Sequence, residues 1–132
     1  MAGIYIHIPY CKQKCNYCNF HFSINKNTVD AMVTSMINEL EIRAEYLENK
    51  KIETIYFGGG TPSIINQKYI GKILSKIKDN FNIIAHPEIT MEFNPDDIDS
   101  EKLIQLKDLG VNRLSIGIQS FDDKDLIFMN RS

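Results

Sequence analysis

The chain has 132 residues, of which 43% are hydrophobic and 24% charged, a composition typical of one globular domain. The formal net charge is −2 and the 15 Lys and Arg are scattered, so the basic patch of a nucleic-acid-binding protein is not present. The N-terminus lacks the features of a signal peptide, and the sequence has no run of about 18 apolar residues that could span a membrane, so we expect a cytoplasmic protein.

The first predicted unit is a strand, a cysteine-rich loop and a long helix. "IYIHI", residues 4–8, alternates apolar and polar residues as a strand does. The loop "PYCKQKCNYCNF" then contains all three cysteines of the chain. Apolar residues spaced three and four apart from Val29 to Leu47 predict a helix, with Asn27 or Thr28 as its N-cap.

Three further strand–helix units follow. The strands are "ETIYF" (residues 53–57), "EITMEF" (88–93) and "RLSIGIQ" (113–119). The helices are expected to begin after Asn66, at the N-cap Ser100 and in "DDKDLIFM" (residues 122–129), and Gly110 is well placed to end the second of them. Consecutive βα units of this kind predict an α/β fold with a parallel sheet.

Each predicted strand has one apolar and one polar face. The apolar rows are Ile4, Ile6 and Ile8; Ile55 and Phe57; Ile89, Met91 and Phe93; and Leu114, Ile116 and Ile118, and we expect them to meet the helices. The opposite rows are Tyr5 and His7; Thr54 and Tyr56; Thr90, Glu92 and Asn94; and Ser115, Gly117 and Gln119. Doubly wound sheets are apolar on both faces, so the polar face indicates the interior of a wide or partial barrel. A two-layer sheet with one solvated face is the alternative.

The number of cysteines points to metal chemistry. Cys11, Cys15 and Cys18 follow the carboxyl end of the first strand, where parallel α/β folds place their active sites. An odd, clustered set in a reducing compartment does not predict a disulfide framework. Three thiolates on a four-iron cluster would leave one iron open to a substrate. A Cys3His zinc site that uses His7 or His21, or three unligated cysteines, are the alternatives.

Two other features of the predicted strand ends suggest a ligand site. Three glycines in "YFGGGTPS" permit a ligand to approach the backbone closely, although a tight βα turn would account for them equally well. Glu92 faces the polar side of strand three, where an inward carboxylate requires a cationic partner such as an ammonium group, and Gln119 occupies the matching level of strand four. A purely structural polar network is the other interpretation.

The spacing C-x3-C-x2-C resembles the signature of radical S-adenosylmethionine (SAM) enzymes. Together with "YFGGGTPS", "EFNPDD", "LSIGIQSFDDKDL" and "MNR", the cysteine loop resembles the N-terminal part of the oxygen-independent coproporphyrinogen III oxidase family, which includes the HemW-like heme chaperones. The resemblance covers the whole chain. It implies about four units of a radical SAM (β/α)6 partial TIM barrel, with a [4Fe–4S] cluster and SAM as cofactors and heme as a candidate further ligand.

Transferred position by position, the family pattern makes Cys11, Cys15 and Cys18 the cluster ligands. The residues that it places around SAM are Tyr5, Tyr17, Gly59, Gly60, Thr61, Glu92, Gln119 and Arg131. Among these, Arg131 would serve the carboxylate or ribose side of SAM, a role that suits its fixed guanidinium fork.

Two departures from the family pattern refine the expectation. The oxidases carry a further cysteine two residues after the third, where this chain has Phe20, which favours the HemW-like heme chaperone branch. The expected partners are then heme or a porphyrinogen, a heme-accepting protein and a reductant, and enzymatic activity is an open question. The alternatives are an oxidase that decarboxylates propionates of coproporphyrinogen III, or a non-catalytic zinc-binding or heme-binding module.

The second departure is length, because family members run to several hundred residues. We therefore expect residues 1–132 to be the N-terminal part of the radical SAM core, without the remaining barrel units and the C-terminal domain. Such a fragment should be inactive and should self-associate through the open edge of strand four.

Overall fold

The computed structural model describes residues 2–48 and 50–131. Four strands form one parallel sheet in the order β1-β2-β3-β4. The elements are β1 (Ala2–Ile8), α1 (Val29–Ile42), β2 (Ile52–Gly59), α2 (Gln67–Asn80), β3 (Ile83–Phe93), α3 (Ser100–Leu109), β4 (Arg113–Ile116) and α4 (Asp123–Phe128). Short 3-10 turns, Pro62–Ile64 and Pro95–Asp97, follow β2 and β3. The predicted succession of four βα units is confirmed.

The pairing register confirms the predicted strand faces. Ile6 pairs with Phe57, Phe57 with Met91, and Met91 with Leu114, so one apolar row crosses all four strands. The next row, Tyr5–Tyr56–Thr90–Arg113, lies on the opposite face. Because successive residues of a strand point to opposite faces, the whole sheet has one apolar side and one polar side.

The apolar side of the sheet packs against the helices and forms the core. α1 contacts α2, and α2 contacts α3, so these helices form one continuous layer. Phe57 from the sheet and Ile70, Ile73 and Ile77 from α2 are fully buried between the two layers. The helix layer therefore leaves the polar face and the carboxyl ends of the strands available to a ligand.

Two of the three predicted boundaries of α2 and α3 are confirmed. Asn66 caps α2, since its side-chain oxygen accepts a hydrogen bond from the backbone two residues later. Gly110 ends α3 with a left-handed φ of 106°, which glycine adopts without steric cost. The prediction of Ser100 as N-cap is wrong: the cap is Asp99, whose carboxylate accepts a hydrogen bond of 3.0 Å from the amide of Lys102.

The first helix is shorter than its apolar stripe. Thr28 stands at the N-cap position, but its hydroxyl bonds to the hydroxyl of Tyr10 at 2.9 Å and not to the helix backbone. α1 ends at Ile42, and the chain continues through turns to residue 48. Leu47 therefore packs against the core from a turn and does not extend the helix.

Strand β4 is also shorter than predicted. It ends at Ile116, where the last bond to β3 runs from the amide of Gly117 to the carbonyl of Phe93, and Gln119 then adopts a left-handed φ of 72°. The expectation that the β4 apolar row meets helices is wrong, because Leu114, Ile116 and Ile118 are 36–42% exposed. The described residues of α4 include no buried side chain, so this helix does not cover the row. Within the described residues, no helix has the length and apolar character needed to cross a membrane.

Candidate functional site

The cysteine loop is closed at its base by backbone hydrogen bonds. Tyr10 and Ser23 form an isolated parallel bridge, in which the amide of Cys11 donates to Ser23 O at 3.0 Å and the amide of Ser23 donates to Pro9 O at 2.7 Å. Tyr10 is buried and anchors this base in the core. The loop thus leaves and re-enters the fold at one point, beside the carboxyl end of β1.

The second half of the loop is bound to the end of α4. The amide and side-chain nitrogens of Asn16 donate to Met129 O and Phe128 O at 2.9 and 2.6 Å. Gln13 donates to Asn130 O, and Asn130 donates to the carbonyl of Lys14, at 2.8 and 2.7 Å. These four bonds hold the chain around Cys15 next to the residue that follows them, Arg131.

The glycine segment after β2 lies directly against the first half of the loop. The amide of Gly60 donates to Ile8 O at 2.8 Å and that of Thr61 donates to Tyr10 O at 2.7 Å. A Cβ at Gly60 would lie 2.7 Å from Tyr10 O and 3.0 Å from Cys11 Sγ, closer than non-bonded atoms approach. Glycine is therefore required here for the loop and the strand end to meet.

Glu92 is the central acidic group of the polar face. Its carboxylate accepts a hydrogen bond from the hydroxyl of Tyr56 at 2.8 Å and another from the amide of Gly59 at 3.0 Å. Its partly buried side chain is thus held beneath the glycine segment, as its strand parity predicts. Donation to Glu92 is the main reason why the pKa of Tyr56 is raised, because the bond favours the protonated phenol.

Arg131 provides the opposite charge on the other side of the cysteine loop. One guanidinium nitrogen donates to Asn94 Oδ1 at 2.8 Å and to Gly117 O at 2.5 Å. The other lies 3.8 Å from Cys15 Sγ. Two strand ends and the cysteine loop thus fix the direction of this guanidinium group.

These elements enclose one cleft of about 320 Å³ at the carboxyl edge of the sheet. Ten of the eleven predicted site residues line it: Cys11, Cys15, Cys18, Tyr17, Gly59, Gly60, Thr61, Glu92, Gln119 and Arg131. Tyr5 does not line it. This tyrosine lies lower on the polar face, where its hydroxyl bonds to His7 Nδ1 at 3.0 Å and its ring stacks on that of Tyr56.

The environment of the thiols is partly dehydrated. Burial raises the pKa of Cys11, while a hydrogen bond from Thr61, 3.7 Å away, and the charge of Arg131 act in the opposite direction. Burial and a hydrogen bond with Cys15 raise the pKa of Tyr17.

The three thiols share one cleft, but the described residues do not form an assembled site for a single metal ion. All three line the same cleft, but within residues 2–48 and 50–131 no three His, Cys, Asp or Glu side chains converge closely enough to hold one ion. The described residues therefore contain no assembled Cys3His site with His7 or His21.

Sequence reasoning missed three residues of the site. The side-chain oxygen of Asn94 accepts a hydrogen bond from Arg131, and its side-chain nitrogen lies 3.5 Å from the hydroxyl of Thr61. The hydroxyl of Tyr56 donates to Glu92. Their places on the polar face were predictable from strand parity, although their roles were not. Asp97, which is 4% exposed beneath the loop, gave no such signal because it lies beyond the end of β3.

Comparison with known sequences gives one family and several relatives. A sequence model described as the radical SAM superfamily matches residues 5–132. The heme chaperone HemW of Escherichia coli (strain K12) is 37% identical over 131 residues, which cover 98% of this chain and 35% of that protein. The mitochondrial radical S-adenosyl methionine domain-containing protein 1 of Mus musculus is 33% identical over 132 residues, 99% of this chain and 30% of that protein. The chain thus spans about a third of the length of these curated relatives.

Comparison with solved structures gives the same fold. The coproporphyrinogen III oxidase HemN from Escherichia coli, described as a radical SAM enzyme, superimposes with a TM-score of 0.90 at 29% identity. The match covers 98% of this chain and 30% of the oxidase. The archaeal Elp3 of Methanocaldococcus infernus matches with a TM-score of 0.59 at 15% identity and supports the fold alone.

Proposed function

Since this chain belongs to the radical SAM superfamily, we propose that Cys11, Cys15 and Cys18 bind a [4Fe–4S] cluster and that the adjoining cleft binds SAM. The observation that carries the proposal is the meeting of the three thiols, the glycine segment, Glu92 and Arg131 in one cleft. The resemblance and partial-barrel fold predicted from the sequence are confirmed by the superfamily match and by the superposition on HemN.

The charges of the cleft match those of the amino-acid part of SAM. Glu92 presents a carboxylate below the glycine segment, and Arg131 presents a guanidinium beside Cys15. A ligand with both an ammonium and a carboxylate group can pair with Glu92 and Arg131 at the same time. Hydrogen bonds between charged groups are stronger than those between neutral groups. In our assignment Glu92 contacts the ammonium group, Arg131 the carboxylate or ribose side, and Gly59, Gly60 and Thr61 the backbone of the ligand.

When bound through Cys11, Cys15 and Cys18, the cluster would supply one-electron reducing chemistry to a SAM molecule in the cleft. The chain's own residues bind and orient: the cysteine loop fixes the thiols, and the polar face fixes the two charged groups. Tyr17 and Phe20 line the outer part of the cleft. In the assignment by resemblance Tyr5, Tyr17 and Gln119 complete the SAM contacts, although Tyr5 lies outside the lining of the cleft.

For the whole protein we propose a heme chaperone related to the coproporphyrinogen III oxidases. The name of the Escherichia coli relative supports this function, and so does Phe20, an aromatic residue where the oxidases carry a cysteine. In this proposal residues 1–132 are the N-terminal part of the radical SAM core. The partners are heme or a porphyrinogen, a heme-accepting protein and a reductant, and the protein acts in the cytoplasm.

The oxidase activity is the second candidate. The TM-score of 0.90 to coproporphyrinogen III oxidase favours it, since the fold around the cleft is the same. Product analysis with coproporphyrinogen III distinguishes the two: an oxidase releases decarboxylated porphyrinogen, whereas a chaperone binds heme and passes it to an acceptor.

We also propose that this 132-residue chain self-associates when it is studied by itself. The outer edge of β4 and its apolar row are exposed, as are Ile127 and Phe128 of α4. An open strand edge beside apolar surface is a site of strand pairing. We expect sedimentation analysis to detect dimers or larger species, with little reductive cleavage of SAM; a stable monomer that cleaves SAM efficiently would contradict the proposal.

The central test is anaerobic reconstitution with iron and sulfide. We expect a brown protein with about four irons per chain and an oxygen-sensitive absorption spectrum. Stoichiometric zinc without uptake of iron would contradict the assignment and favour the zinc-binding module. Titration of the reconstituted protein with SAM, monitored by the electron paramagnetic resonance spectrum of the reduced cluster, then tests the second half of the proposal.

A further inference from the structure

An ion pair with a buried carboxylate lies beneath the first half of the cysteine loop. Asp97, in the 3-10 turn after β3, is 4% exposed, and its Oδ1 pairs with the ammonium group of Lys12. Its Oδ2 accepts a hydrogen bond of 2.6 Å from the hydroxyl of Ser63, which is 1% exposed. Lys12 directly follows Cys11 in the loop, and Ser63 belongs to the 3-10 turn after the glycine segment. Lys12 also lines the cleft, whereas Asp97 does not, and neither residue is assigned a contact with the cluster or SAM.

The burial of Asp97 makes this pair an anchor. A carboxylate removed from water is costly unless a counterion and hydrogen bonds compensate for the lost solvation. Here both oxygens are engaged, one by Ser63 from within the fold and one by Lys12 from the loop. The side chain of Lys12 is 45% exposed, so this lysine could be solvated in other positions. Its pairing with Asp97 therefore stabilises one position of the loop over the others.

The pair completes a line of contacts along the segment that contains Cys11. Before the cysteine, the amides of Gly60 and Thr61 donate hydrogen bonds to the carbonyls of Ile8 and Tyr10. At the cysteine, the hydroxyl of Thr61 reaches Cys11 Sγ. After the cysteine, Asp97 holds Lys12. Between Cys11 and the bond of Gln13 to Asn130, the Lys12–Asp97 pair is the contact that ties the loop to the turn after β3.

We propose that Asp97 is a positioning residue for the cluster: through Lys12 it holds Cys11 against the carboxyl ends of β2 and β3. The inference rests on the proposed cluster binding for its consequence, but the positioning itself is a property of the apoprotein. It can therefore be measured with and without iron, so that a failure of one proposal is distinguishable from a failure of the other.

The test compares Asp97→Asn, Lys12→Met and the double variant. Asp97→Asn keeps a side-chain oxygen for Ser63 but removes the charge, and Lys12→Met keeps the length of the side chain without the ammonium group. Lys76→Met is the matched control, since it removes the Lys76–Glu41 ion pair between α1 and α2, far from the loop. Lys12→Arg is the conservative variant that retains a cation for Asp97.

The first measurement is hydrogen exchange of the Cys11 amide in the apoprotein. This amide donates to Ser23 O, so it exchanges when the base of the loop opens. We expect about tenfold faster exchange in each single variant, no further increase in the double variant, and wild-type exchange in Lys12→Arg and Lys76→Met. Non-additivity is decisive, because a general loss of stability at Asp97 would add to the effect of Lys12→Met.

The second measurement is the rate at which a chelator removes iron from the anaerobically reconstituted protein. We expect about tenfold faster loss in the same three variants and rescue by Lys12→Arg. Exchange at Cys11 that is unchanged in Lys12→Met, or additive effects of the two substitutions, would overturn the inference. Protein that shows the predicted exchange pattern but takes up no iron would support the positioning role and refute the proposed cluster.

Discussion

The variant Glu92→Gln tests the contribution of the negative charge of Glu92, because it removes that charge with little change in the shape of the side chain. A glutamine at this position retains the shape of the side chain and can keep both internal contacts, because its oxygen can accept from Gly59 and its nitrogen can donate to the hydroxyl of Tyr56. The fold should therefore be preserved. The variant loses the negative charge that, in our proposal, faces the ammonium group of SAM.

The expected cost follows from the kind of contact that is lost. A hydrogen bond to a charged group contributes about 1.5–3 kcal/mol, compared with about 1 kcal/mol for a neutral pair. Loss of the charge at Glu92 should therefore raise the Kd of SAM roughly tenfold to a hundredfold. The carboxylate lies within a partly buried cleft, so solvent screens this contact less than it would screen an exposed pair.

The assay is calorimetric titration of the reconstituted protein with SAM, together with thermal unfolding of the apoprotein. Tyr56→Phe is the matched control, because it removes one partner of Glu92 but leaves the charge, and it should weaken SAM binding less than Glu92→Gln does. If Glu92→Gln bound SAM within twofold of wild type but unfolded more readily, Glu92 would be part of a structural network and not a ligand contact.

Three further predictions test other parts of the site. Cys15→Ser should reduce iron uptake on anaerobic reconstitution from about four irons per chain to almost none, as measured by iron analysis, because the remaining two thiols do not hold a four-iron cluster. Gln119 has a left-handed φ of 72°, which glycine adopts more easily than alanine. The free energy of unfolding of Gln119→Gly should therefore exceed that of Gln119→Ala by about 1 kcal/mol, and both variants should bind SAM more weakly than wild type. Equal denaturation midpoints of the two variants would show that the backbone here is unstrained. The pKa of Tyr56 in the folded state is raised above its unfolded value of about 10. The contribution of this phenol to stability is therefore fully present below about pH 10 and is lost as the pH rises through the folded-state pKa. In an ultraviolet pH titration, Glu92→Gln should lower the midpoint of Tyr56.

The faces of the strands were predictable because side-chain alternation is a local property. Once Ile89, Met91 and Phe93 are recognised as the buried row of β3, the inward direction of Glu92 follows from the period of two. Pairing in register then aligns Glu92 with the neighbouring strands without further information. Local alternation thus predicted the strand faces and the direction of Glu92, whereas the residues of the cleft outside the strands were assigned by resemblance.

The ends of the elements were harder to predict because they depend on residues that are distant in the sequence. β4 has the pattern of a strand to Gln119, but it ends at Ile116, and its last bond to β3 runs from the amide of Gly117 to the carbonyl of Phe93. β3 begins at Ile83, five residues before the start of its alternating pattern, because its first part pairs with Ile52 across an irregular register. No local pattern encodes these long-range contacts.

The same argument explains why the cysteine spacing alone does not specify the site. The loop that carries Cys11, Cys15 and Cys18 has no helix or strand of its own, so its geometry comes from the three structures that it touches. The amides of Gly60 and Thr61 form hydrogen bonds with the start of the loop, and Asp97 forms an ion pair with Lys12. The end of α4 accepts hydrogen bonds from Gln13 and Asn16. All three lie at the carboxyl edge of the sheet, and each is brought there by a different βα unit. The three thiols are therefore held at this edge from three sides, as the proposed cluster site requires.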